Sequence, residues 1–149
     1  MFNRRIFMKA AAMFSGAATA TATTFATPAA AADKQQVAYH VSEKEKVGFV
    51  LANIRNHIKG VGGPENAEII FVAHGPALKQ FHKFDGNASI LDHMTKLMGN
   101  GVQFNACGNT MRALSYQADD LIEGAVRVDQ GGVVRLAELQ QAGFLYLRP

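Results

Sequence analysis

The sequence predicts an α/β fold, a single three-layer α/β/α domain built on a mostly parallel five-stranded sheet. Three observations predict it. From Val37 onward, short β-rich runs alternate with stretches of helical periodicity, the pattern of repeated strand–helix units. The run Ala67-Glu68-Ile69-Ile70-Phe71-Val72-Ala73 is almost unbroken in its apolar character, as a strand buried on both faces requires. Glycines at Gly60, Gly62, Gly63, Gly101, Gly131, Gly132 and Gly143 punctuate the segments and leave only short connections between them.

Val37-Ala38-Tyr39-His40-Val41 is the first expected strand. Ser42 and Glu45 have the spacing of a capping box, and Val47, Val50, Leu51, Ile54 and Ile58 then fall on one face of a helix that closes at Gly60. After the apolar strand, His74-Gly75-Pro76 opens a short helix to about Lys83, because proline is tolerated in a first turn where its missing N–H has no partner anyway. Asp85-Gly86-Asn87 turns the chain. Ile90, Leu91, Met94, Leu97 and Met98 form the next helical stripe, stopped by Asn100-Gly101 before a third strand at Val102–Ala106. A helix is expected from about Gly108 and a helical turn around Ala118–Ile122. A fourth strand follows at Ala125–Val128, then a last helix at Val133–Ala142 and a fifth strand at Phe144–Leu147.

Residues 1–32 follow a different logic. Asn3-Arg4-Arg5-Ile6-Phe7-Met8-Lys9 precedes a weakly apolar run to Ala26, and Ala30-Ala31-Ala32 offers the small side chains a signal peptidase accepts. The segment resembles a twin-arginine export signal cleaved near Ala32/Asp33, which implies a periplasmic protein with no stable membrane insertion after cleavage, and a folded domain at 33–149. Three of the 15 basic residues, Arg4, Arg5 and Lys9, lie in this segment, whereas all 12 acidic residues lie from Asp33 onward. Without the segment, basic and acidic residues balance, no basic run remains, and nucleic-acid binding has no electrostatic support.

Cys107 is the only cysteine, so an internal disulfide is impossible and the thiol is free, paired between chains or chemically employed. It stands where the third strand passes into a helix. Unpaired backbone N–H groups and the positive end of a helix dipole favour thiolate there, with Asn109 and Thr110 as hydrogen-bonding neighbours and Arg112 one turn away as a charge partner. The competing reading is a small buried side chain. His40 closes the first strand and His74 the second, so two imidazoles and the thiol reach the same edge of the sheet if those strands are neighbours. His57, His82 and His93 read as members of solvated helix faces. No C-x-x-C, H-E-x-x-H, P-loop, dinucleotide-binding or G-x-S-x-G pattern is present, so no cofactor and no dedicated metal site is expected.

The Ala73-His74-Gly75-Pro76 turn, the Gly101-Val102-x-Phe104-Asn105-x-Cys107 junction and the terminal Tyr146-Leu147-Arg148-Pro149 together resemble the DsrE/DsrF-like family. The resemblance implies sulfur carriage or transfer through a persulfide on Cys107, protein thiols as sulfur donors or acceptors, and assembly of identical copies; His74 and His40 are candidate supporting side chains by their strand-end positions and not by the family pattern. The continuation Gly108-Asn109-Thr110-Met111-Arg112 departs from the small apolar residues that follow the relay members' cysteine. Two other readings stand beside this one: a non-catalytic oligomeric binding or assembly module, and a small-ligand or metal-binding protein using the strand-end crevice.

Overall fold

The computed structural model describes residues 34–149; the expected leader at residues 1–32 lies outside them. The strands are β1 (Gln35–Val41), β2 (Ala67–Ala73), β3 (Gln103–Cys107), β4 (Val126–Val128) and β5 (Leu145–Leu147), and the helices are α1 (Val47–Gly60), α2 (Ala88–Gly99), α3 (Gly108–Ala113) and α4 (Gly132–Gln141). The sheet order is β4-β3-β2-β1-β5 and every pairing is parallel, so the sheet is wholly rather than mostly parallel. Steps in one direction from β1 to β4 put their right-handed crossovers on one face. The return from β4 to β5, across the whole sheet, puts α4 on the other.

Strand alternation divides the core accordingly. Val37, Tyr39 and Val41 join Phe71, Phe104 and the apolar stripe of α1, with Met94 and Leu97 of α2, in the larger cluster. Ala38, Ile70 and Val72 meet Leu136, Leu139 and Phe144 on the opposite face. The α1 stripe Val47, Val50, Leu51, Ile54 and Ile58 is buried throughout, as its periodicity predicts. His40, Asn105 and Cys107 belong by alternation to the α4 face, and all three are buried. Buried Asn105 is satisfied by Arg135 of α4, whose Nε donates to its Oδ1 at 2.9 Å.

Local expectations are corrected at three places. Ser42 and Glu45 form no capping box: a 3-10 turn at Lys44–Lys46 leads into α1, its N-cap is Glu43 without a side-chain cap bond, and the Ser42 hydroxyl instead donates to Glu43. The segment after His74 is a 3-10 helix, Gly75–Phe81, rather than an α-helix. His82 is buried, not solvated; its Nδ1 accepts from the Asp85 amide at 3.1 Å and so holds the following turn. His57 is half-buried, tied to Tyr39 Oη at 2.8 Å and Gln35 Oε1 at 2.9 Å. Among the described residues no helix is long and apolar enough to cross a membrane.

Candidate functional site

The sheet order makes β1, β2 and β3 neighbours, so the condition for bringing His40, His74 and Cys107 to one edge is met. Cys107 is the last residue of β3 and the N-cap of α3, extended at φ −62° and ψ 115°, and Ala106 pairs with Ala73, the residue before His74. Gly132, the first residue of α4, closes over this edge. A Cβ built there would stand 3.3 Å from Cys107 Cβ, 3.4 Å from His74 Cβ and 3.4 Å from Val72 Cγ1, so only glycine lets the helix start come this close without displacing a neighbour.

That approach surrounds the sulfur with donors. Burial opposes ionisation, but the nearby Thr110 hydroxyl and the backbone amides of Gly132, Thr110 and Asn109 favour the thiolate, and the balance holds the Cys107 thiol below the ordinary range for cysteine. The Thr110 hydroxyl oxygen accepts from the Gly75 amide at 2.9 Å, which leaves its proton free to point at sulfur. Of the anticipated neighbours, Asn109 acts through its amide, and its side chain is engaged by the Arg112 guanidinium. Arg112 therefore does not serve as the thiolate's charge partner.

Cys107 is 5% exposed, as the competing reading of a small buried side chain has it: α4 roofs the edge that a strand-by-strand reading leaves bare. An apolar cleft of about 420 Å³ nearby is lined by Gly75, Pro76, Lys79, Asn109, Thr110, Ala113 and Leu114; Cys107 itself does not line it.

The histidines form a second group on the same face. His40 Nε2 and His74 Nε2 are 2.7 Å apart, and His40 Nδ1 is 2.7 Å from Tyr146 Oη; the two imidazoles are stacked with centroids 4.8 Å apart. A contact of two ring nitrogens at that distance requires one to carry the proton and the other to accept it. Burial, then the fields of His74 and Arg148, push the His40 imidazole down to about 4 against the opposing field of Glu43. Burial and Arg148 lower His74 in the same direction, so both rings are neutral at physiological pH. Arg148 itself bonds Glu43 at 2.6 Å and Ser42 Oγ at 3.0 Å. No three His, Cys, Asp or Glu side chains among the described residues converge as a metal site would need.

Sequence reasoning missed Gly132, Tyr146 and Arg148 as parts of this edge. Tyr146 lies 106 residues from His40, and no local pattern links them; the only signal was the Gly131-Gly132 pair opening α4.

Thr110→Val tests the donor cage. The variant keeps the shape of the side chain but removes a hydrogen bond to sulfur, so the midpoint of alkylation against pH moves upward. The rate at neutral pH falls about tenfold, and the abandoned Gly75 amide costs about 1 kcal/mol in urea unfolding. An unchanged pH profile would show that the hydroxyl does not reach the thiolate.

The sequence profile of the DsrE/DsrF-like family matches residues 8–149. A search of curated proteins finds no match. Among solved structures, the protein of unknown function MTH1491 from Methanobacterium thermoautotrophicum is similar at 28% identity and TM-score 0.69, covering 78% of this chain and 100% of its own. The ychN protein from E. coli shares the fold at TM-score 0.62 and 15% identity, over 77% of this chain and 99% of its own. With nearly its whole length matched, the chain belongs to the DsrE/DsrF-like family, which is associated with sulfur relay.

Proposed function

We propose that this protein holds and hands on sulfane sulfur as a persulfide on Cys107, in the periplasm after removal of its leader and as an assembly of identical copies. The observation that carries the reading is the ring of donors about one sulfur: a hydroxyl and three amides outweigh the burial of the thiol and favour thiolate. A persulfide's terminal sulfur is also an anion, and the same donors suit it once the chain opens enough to admit it.

The chemistry needs no external oxidant. The Cys107 thiolate attacks the outer sulfur of a donor persulfide, the donor S–S bond breaks and the donor leaves as thiolate, while a new S–S bond forms on Cys107. An acceptor thiolate then attacks that outer sulfur and Cys107 departs as thiolate, so the sulfane sulfur keeps its oxidation level throughout. The neutral His40–His74 pair on the same face adds no positive charge to the sulfur; its contribution is to tie the end of β2 to β1. Exposed Val133, Val134, Leu145, Tyr146 and Leu147 on α4 and β5 form apolar surface of the kind that copies of a chain cover in each other.

The 5% exposure of Cys107 favours a second reading, in which the thiol packs beneath α4 in a binding or assembly module. Intact mass after incubation with polysulfide separates the two. The wild type gains one or more sulfur atoms that dithiothreitol removes, and Cys107→Ser gains none. Equal masses for the two proteins would overturn the carrier reading and leave the packing one.

A further inference from the structure

The turn after the 3-10 helix, residues 82–87, lies outside everything the sulfur chemistry uses. It carries Phe84, 77% exposed, with Lys83 Nζ 5.0 Å above its ring, and it ends in Asn87, the N-cap of α2. Two different devices fix it. Near its end the Gly86 amide donates to the His82 carbonyl at 2.8 Å. A Cβ on Gly86 would stand 2.3 Å from that oxygen, so only glycine closes the turn this tightly. In the middle the amides of Phe84 and Asp85 depend on the His82 ring, donating to its Nδ1 at 3.4 and 3.1 Å.

The same nitrogen faces a partner that it cannot hold at the same time. Asp85 Oδ2 stands 3.3 Å from Nδ1. A ring nitrogen accepts from an N–H only while it is bare, and the single proton of the neutral imidazole is then on Nε2; it donates to a carboxylate only once it carries a proton itself. The two amides and the carboxylate therefore belong to opposite protonation states of one ring. The other titratable groups around it are engaged elsewhere or pack on its face. Tyr116, from the segment after α3, lies against the imidazole with centroids 4.8 Å apart, and Lys83 is turned to Phe84. Asp120, whose carbonyl accepts the Lys83 amide, gives its carboxylate to the Gln117 amide.

We propose that His82 is a proton-operated latch on this turn. With Nδ1 bare it fixes the amides of Phe84 and Asp85, and so the direction in which Phe84 is presented; with Nδ1 protonated it turns to the Asp85 carboxylate and frees them. Phe84 and Asp85 are at the surface, where water replaces the lost acceptor, so the turn loosens locally. The Gly86 amide and the bridge between His82 and Leu121 keep their backbone bonds in both states, which confines the change to residues 83–85.

Amide hydrogen exchange, read by NMR across the titration of the His82 ring, provides the test. The ring nitrogen shifts show a bare Nδ1 in the neutral form. The protection factor of the Asp85 amide falls about tenfold as the ring is protonated, the worth of about one hydrogen bond, while that of Gly86 holds. Asp85→Asn removes the partner of the protonated state, so the fall moves to lower pH. His82→Asn sets an oxygen near the place of Nδ1 and cannot titrate, so protection no longer follows pH. Cys107 is alkylated at the wild-type rate in both variants, which shows that they are folded. Protection that stays level through the wild-type titration, that falls equally in His82→Asn, or that falls at an unmoved pH in Asp85→Asn overturns the proposal.

Discussion

Phe104→Ala should lower the free energy of unfolding by about 3–5 kcal/mol, the largest loss expected from any single truncation in the core. Phe71 of β2, Phe81 of the 3-10 helix and Phe104 of β3 form a closed set of rings, with centroids 5.5 Å apart for Phe71–Phe104, 4.6 Å for Phe81–Phe104 and 5.7 Å for Phe71–Phe81. All three are wholly buried. Removing the ring of Phe104 takes away the neighbour of both others, and because two of the three backbones belong to paired parallel strands, the space cannot close by collapse. Tilted and stacked aromatic pairs add to the cost beyond the area they bury. Urea unfolding followed by circular dichroism gives the value. Phe104→Leu, which keeps most of the volume, should lose much less, and a loss under about 1 kcal/mol in Phe104→Ala would mean that the three rings do not pack as one unit.

What could be read in the sequence follows from what kind of signal carried it. The second strand was legible to the residue, Ala67–Ala73, because burial on both faces leaves an apolar run with nothing else to be. The α1 stripe was legible because one helix face is buried from end to end, which leaves an apolar residue at every inward position. The start of α1 was not: a capping-box spacing at Ser42 competes with a carboxylate next door and with Arg148 from the far end of the chain, and those contacts take the Ser42 hydroxyl. His82 misled for a similar reason. Lys83 beside it suggests a solvated face, but an isolated bridge to Leu121 and the ring of Tyr116 cover it.

At the site, the place of Cys107 was readable from the strand that ends on it and the glycine that follows. The convergence with His40 and His74 was conditional on strand order, which the parallel β3-β2-β1 arrangement satisfies. Its burial was not readable, because α4 covers that edge only as a consequence of the chain's return from β4 to β5. The same return brings Tyr146 and Arg148 to His40 and Ser42. A residue's partners across the sheet thus depend on a topological reversal that leaves no mark in local periodicity.

Acidification should destabilise the fold chiefly between pH 6.5 and about 4, and His40 should account for roughly 2–3 kcal/mol of the loss. Its imidazole is 6% exposed, bonded on one side to Tyr146 and on the other to His74. In the folded chain burial, then His74 and Arg148, push its titration from the ordinary 6.5 to about 4. The unfolded chain takes up the proton near 6.5, so through that interval the unfolded state binds more protons than the folded one. The stability that neutral His40 contributes is therefore fully present above pH 6.5, falls as pH drops toward 4, and falls no further below. His74 is shifted in the same direction and adds to the slope. Glu43, held to about 2 chiefly by the Ser42 hydroxyl, stays ionised in the folded chain across the interval, while the unfolded chain protonates it around 4.5, so it adds to the loss only at the acid end. His40→Gln removes the titrating ring while keeping a polar side chain, and in urea unfolding at pH 7 and pH 4.5 its difference between the two should be clearly smaller than that of the wild type. Tyr146→Phe keeps both imidazoles, so the acid slope should persist while stability at pH 7 drops by about 1 kcal/mol. An equal acid loss in His40→Gln and wild type would place the proton uptake elsewhere and remove His40 as the source of the pH dependence.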